Sequence, residues 1–139
     1  MGNSYSIKKI NFEDMQRFIK DNECIIINTM TIDRQDALIS HTINASKETA
    51  TINTLINTNL ERKIVIYGEN ACDDGIVNKY NQLIKLGFSN VHIYPGGMFE
   101  WLLLQDIYGD DYFPTTKKCS DILAFKGKPF SDRRLMIGY

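Results

Sequence analysis

One thiol and three carboxylates stand close together in the middle of this chain. They lie in the segment Gly68-Glu69-Asn70-Ala71-Cys72-Asp73-Asp74. A cysteine at the start of a helix can act as a thiolate nucleophile, because the helix N-terminus and nearby cations lower its pKa. Glu69, Asp73 and Asp74 act the other way: they hold the thiol protonated and repel an incoming anion. No arginine or lysine lies between Gly68 and Asn78. A helix dipole supplies only about half a positive charge, too little to offset several carboxylates. Asp73 and Asp74 have a simpler use, since acids in the first turn stabilise a helix. Three acids in a loop are weak grounds for a divalent-cation site, so no metal and no other cofactor is expected.

The elements around this loop must place it. Ile64-Val65-Ile66-Tyr67 is short, β-branched and aromatic, as a buried strand is. Ile76, Val77, Tyr80, Leu83, Ile84 and Leu86 recur at helical spacing, and Gly87 follows as a C-terminal glycine cap. Val91, Ile93 and Tyr94 form another strand, stopped by Pro95-Gly96-Gly97. Strand, loop, helix and strand make a βαβ unit with parallel strands and a right-handed crossover. Ligands of open parallel sheets bind beyond the carboxyl ends of the strands, which is where residues 68–74 fall.

Upstream, Asn11 caps a helix carrying Phe12, Met15, Phe18 and Ile19, and Asp21-Asn22 breaks it. Cys24 to Ile27 is an apolar strand in which Cys24 serves as a small buried hydrophobe. Residues 31–40 read as a short polar helix around Ala37, Leu38 and Ile39. Residues 46–60 read as a helix with Ile52, Leu55, Ile56 and Leu60 on one face, although threonine and asparagine suit helix interiors poorly. A further helix starts near Met98 and runs through Trp101 and Leu102 to Leu104. Gly109 and Pro114 mark the loop after it.

These motifs resemble the rhodanese-like superfamily of sulfurtransferases and related phosphatases. The resemblance rests on Tyr67, on Leu86-Gly87-Phe88-Ser89-Asn90-Val91, and on Gly96-Gly97 with Trp101; His41 and Ala45 in SHTINA add to it. It implies an α/β fold: a three-layer sandwich with a central, mostly parallel sheet and helices on both faces. It implies a structural His41, hydrogen-bonded within its turn. It also marks departures. Gly68 stands where the family keeps its catalytic cysteine, Asn28 where it keeps a strand aspartate, and Met30 where it keeps an arginine. The loop between Tyr67 and Phe88 is about two residues longer than in the usual sulfurtransferases. With Gly68 lacking a side chain, the expected activity is none: an inactive domain for protein binding, scaffolding or assembly. The alternative is a sulfurtransferase carrying a persulfide on Cys72.

The 139 residues suffice for one domain with its own core, and 43% hydrophobic against 24% charged residues is ordinary for a globular protein. The division expected is a leader over 1–6, the rhodanese-like domain over 7–106 and a basic, aromatic extension over 107–139. A formal net charge of −1 gives no electrostatic case for nucleic acid. Three widely spaced cysteines, Cys24, Cys72 and Cys119, argue against a disulfide framework and for a reducing compartment, so the cytoplasm is expected. Met1-Gly2-Asn3-Ser4-Tyr5-Ser6 fits an N-myristoylation pattern at Gly2. One acyl chain holds a membrane only marginally, so Lys8 and Lys9 would have to assist. Lys117 to Tyr139 interleaves basic and apolar residues; it either wraps the domain with its charges solvated or docks a protein partner.

Overall fold

A computed structural model describes residues 7–129. The acylation expected at Gly2 and the docking expected of the tail beyond Pro129 lie outside these residues. Three strands, β1 (Ile25–Asn28), β2 (Ile64–Tyr67) and β3 (Val91–Ile93), form one parallel sheet in the order β1-β2-β3. Four helices accompany it: α1 (Phe12–Asp21), α2 (Ala45–Thr58), α3 (Gly75–Lys85) and α4 (Gly97–Tyr108). The α/β class and the parallel sheet are as the sequence implied.

The strand alternation sorts the core into two layers. Ile26, Val65 and Tyr67 face α1 and α4, meeting Met15, Ile19, Met98, Trp101 and Leu102. Ile27, Ile64, Ile66, Val91 and Ile93 face the other way, meeting Ile52 of α2 and Ile76, Tyr80 and Leu83 of α3. All four residues of β2 are buried, as a central strand covered on both faces requires.

Local chemistry fixes the ends of these elements. Asn11 and Asp14 form a capping box at α1. Asn44 caps α2. The end of α3 is a Schellman motif: Gly87 N–H donates to Ile84 O at 3.0 Å and Phe88 N–H to Leu83 O at 3.2 Å. Gly87 supplies the positive φ, +106°, that this cap needs.

One expectation is corrected. Residues 31–40 do not form a helix; a single 3₁₀ turn covers Ile32–Arg34, and Ile39 then pairs antiparallel with Thr115. The physical reason is the bunching of Ala37, Leu38 and Ile39. Three adjacent apolar residues cannot make one helical stripe, whereas an extended path buries Leu38 and Ile39 fully. The segment after residue 106 also contributes to the domain's own core: α4 continues to Tyr108, and Phe113 and Phe125 are buried in the α1/α4 layer. Among the described residues no helix is long and apolar enough to cross a membrane.

Candidate functional site

The loop Gly68–Asp74 leaves the carboxyl end of β2 and is gripped from one side by the start of α4. Met98 N–H donates to Gly68 O at 2.9 Å and Phe99 N–H to Glu69 O at 2.8 Å. The first amides of a helix have no partners inside it, and here the loop carbonyls supply them. The approach is so close that a Cβ on Gly97 would lie 2.6 Å from Gly68 O, and Gly97 has φ +68°. Gly96-Gly97 is therefore a requirement of this contact as well as a turn signal.

With its carbonyls pinned, the loop turns its amides toward Asp73. One carboxylate oxygen, Oδ2, accepts from the Thr29 hydroxyl at 2.9 Å and from Glu69 N–H at 3.3 Å. The other, Oδ1, accepts from Gly75 N–H at 2.8 Å at the start of α3. A Cβ built on Gly68 would stand 2.1 Å from Asp73 Oδ2 and 2.8 Å from Thr29 Oγ1. The carboxylate thus fills the space that a side chain at residue 68 would need. Asp74 does not share this role: it is exposed and makes no side-chain cap bond.

The second half of the loop is tied to the distant end of the chain. Asn70 Nδ2 donates to Phe125 O at 2.8 Å, while Asn70 Oδ1 accepts from Cys72 N–H at 2.8 Å. Phe125 is buried beneath the Arg34 guanidinium, whose carbon lies 4.9 Å from the ring centre. This brings Gly127 against Cys72, where an added Cβ would lie 3.3 Å from the thiol sulfur. Ala71 and Cys72 are exposed at the loop tip. A cleft of about 340 Å³ opens beside them, lined by Thr29, Thr31, Glu69, Asn70, Cys72 and Asp73 and by Lys126, Gly127 and Lys128. Cations near the loop therefore come from the far end of the chain, a proximity that no local spacing in the sequence announces. Thr29, next to Asn28, carries no local sequence signal for its role either.

The flanking positions explain themselves. Asn28 and Gln35 exchange side-chain hydrogen bonds at 3.1 and 2.9 Å, so a neutral amide pair, Asn28 buried and Gln35 half-buried, stands where the family resemblance placed an acid. Met30 is buried in the core. Tyr67 is fully buried; its hydroxyl accepts from Ile39 N–H at 3.1 Å and shares a 2.9 Å hydrogen bond with Thr42. Burial pushes the Tyr67 phenol well above its ordinary range. His41 does not act as the resemblance implied. It is exposed, its backbone takes φ +71°, and the turn is closed by Thr42 N–H and Oγ1 on Ile39 O. Cys24 is buried, and burial raises its thiol pKa, as a core residue's should be. Among the described residues no cluster of three His, Cys, Asp or Glu side chains could hold a metal ion.

A parallel sheet with a loop of seven residues after its central strand, and a Gly-Gly turn pressing on that loop, agrees with what sequence comparison finds. The model of the rhodanese-like domain matches residues 11–104. The chain belongs to the rhodanese-like family. Among solved structures this rhodanese-like domain is similar to the Alr3790 protein from Anabaena sp., at 19% identity and TM-score 0.58, covering 83% of this chain and 84% of that one. It is similar to a single-domain sulfurtransferase of Saccharomyces cerevisiae, at 16% identity and TM-score 0.52, over 81% and 99% of the two chains. It also resembles thiosulfate sulfurtransferase from Pseudomonas aeruginosa at 14% identity and TM-score 0.56, over 70% of this chain and 19% of that protein. These likenesses concern the fold. No curated protein matches the sequence.

Proposed function

We propose that this rhodanese-like domain does not transfer sulfur and works as a protein-binding or assembly module. The observation that carries the reading is the Asp73 carboxylate, which lies 2.1 Å from where a Cβ at Gly68 would be and takes the amides of Glu69 and Gly75. Residue 68 offers no nucleophile, the Asp73 carboxylate would have to swing aside to admit one, and that carboxylate already sits on the amides that would receive an anion. Partner binding is assigned to the basic segment Lys117–Tyr139, and a membrane tether to acylated Gly2, in the cytoplasm. A pull-down comparing the native chain with Lys117, Lys118, Lys126 and Lys128 all changed to glutamate tests the first; loss of the captured partner is expected. Intact mass after expression in a eukaryotic host tests the second, and an unmodified Gly2 ends it.

A second reading has its own support. Cys72 is exposed beside Lys126 and Lys128 in one cleft. In that reading the Cys72 thiolate attacks the outer sulfur of thiosulfate, the S–S bond breaks and sulfite leaves with the electron pair. Cyanide then removes the sulfur as thiocyanate and restores the thiolate. A thiosulfate-to-cyanide assay decides between the two. No turnover is expected; turnover abolished by Cys72→Ser rejects the inactive reading.

A further inference from the structure

Helix α4 is apolar on the side that faces away from the domain. Its inner side is filled by Met98, Trp101 and Leu102, all buried. Its polar side chains are mostly taken up by internal bonds. Glu100 accepts from the Tyr94 hydroxyl. Gln105 donates to Phe113 O at 2.8 Å and to Thr115 Oγ1 at 3.1 Å. The outer side is left with Leu103, 39% exposed, and Ile107, 67% exposed, one helical turn apart, with Tyr108 beside them at 61%. A surface helix ordinarily turns polar residues outward; contiguous apolar exposure marks a contact site.

Acidic side chains outnumber basic ones around this face, with Lys20 of α1 lining one hollow together with Asp111 and Tyr112. Asp106, Asp110 and Asp111 are exposed, and none of them has an ion-pair partner among the described residues. From Gly96 to Thr116 the chain carries no lysine or arginine. Two copies of this face would set carboxylates against carboxylates, and an anionic lipid surface would meet the same repulsion. A partner with the opposite sign gains attraction instead and is steered to the site.

We infer that the outer face of α4, centred on Leu103 and Ile107 and rimmed by Asp106, Asp110 and Asp111, docks a basic amphipathic helix of another protein. The partner's leucine-type side chains cover Leu103, Ile107 and Tyr108, and its lysines or arginines flank them against the carboxylates. This rests on the reading of the domain as a binding module and adds a surface and a partner chemistry to it.

The test uses the full chain and a fluorescent peptide of leucine and lysine at helical spacing, read by anisotropy. Binding that weakens with salt is expected, and an isomer with glutamate for lysine should bind at least about tenfold more weakly. Leu103→Ser with Ile107→Ser should lose binding by about tenfold or more. Both residues are exposed, so the fold is kept, as an unchanged circular dichroism spectrum would show. Asp106→Asn, Asp110→Asn and Asp111→Asn together should flatten the salt dependence. Equal binding by all these variants overturns the inference. So does sedimentation showing a dimer that Ile107→Ser dissolves, since the occupant is then a second copy. Tighter peptide binding by Arg133→Glu with Arg134→Glu likewise overturns it in favour of the chain's own terminal segment. Sulfur transfer alongside normal peptide binding rejects the inactive reading and leaves this one standing; absent transfer with absent binding does the reverse.

Discussion

At residue 68 the question is whether a side chain fits, and Asp73 answers it. Gly68→Ala should cost about 1–3 kcal/mol in urea unfolding, because a Cβ there overlaps a carboxylate oxygen at 2.1 Å. Asp73→Ala should cost about 0.5–2 kcal/mol through its lost cap bonds. The double variant should be more stable than the sum of the two implies, since removing the carboxylate frees the space. Strict additivity would show that the two positions are not competing for it. Only half of this was legible in the sequence. Gly68 declares a missing nucleophile on sight, and Asp73 reads as a helix-start acid. That the acid folds back onto the glycine depends on the exact path of a seven-residue loop, which residue types do not encode. His92 gives a pH dependence at the same scale. Burial, helped by Lys8 and Lys63, lowers its pKa below the ordinary value, and its Nδ1 is buried without a hydrogen-bond partner among the described residues. The unfolded chain therefore takes up a proton at about pH 6.5 that the folded one refuses. This contribution to stability is present above that pH and is lost as pH falls. His92→Gln should flatten the stability profile below about pH 6.5 relative to the native chain, measured by urea midpoints; identical slopes would show that His92 titrates normally in the fold.

At the scale of elements, the meeting of α4 with the loop after β2 sets the shape of the site. Gly97 and Gly109 flank that helix with positive φ values of +68° and +103°, and only Gly97 faces a backbone oxygen within reach of a Cβ. Gly109→Ala should therefore cost only the penalty of its glycine-type backbone conformation, φ +103° and ψ +162°, about 1–3 kcal/mol. Gly97→Ala should cost clearly more, because Met98 and Phe99 would lose their hold on Gly68 and Glu69. Thermal unfolding of the two variants checks the order, and equal shifts would mean that the close approach is relaxed at little cost. The elements themselves were the most readable part of the chain. Asn11, Gly87, the run Ile64–Tyr67 and the spacing of Ile76, Tyr80 and Leu83 each announced what they form. The helix expected over 31–40 was not there because Leu38 and Ile39 are held by partners far along the chain, Thr116 and Tyr67. Long-range pairing of this kind leaves no periodic trace.

For the whole molecule, the strand ends and the segment after α4 build one cleft together. Asn70 is the tie between them, so Asn70→Ala should cost stability by only about 1 kcal/mol yet let the Gly127 segment lift from Cys72. Iodoacetamide labelling should then modify Cys72 several times faster than in the native chain, with Cys24 remaining protected by burial. An unchanged rate would mean that Gly127 does not shield the sulfur. The same arrangement has a bearing on synthesis. Lys126 to Lys128 leave the ribosome 54 to 56 residues after the thiol they border, a lag of roughly 3–11 s at ~5–20 residues per second. Throughout that interval Cys72 emerges on a nascent polypeptide whose covering wall has yet to be made, which is when an oxidant or alkylating agent in the surroundings would find it least defended.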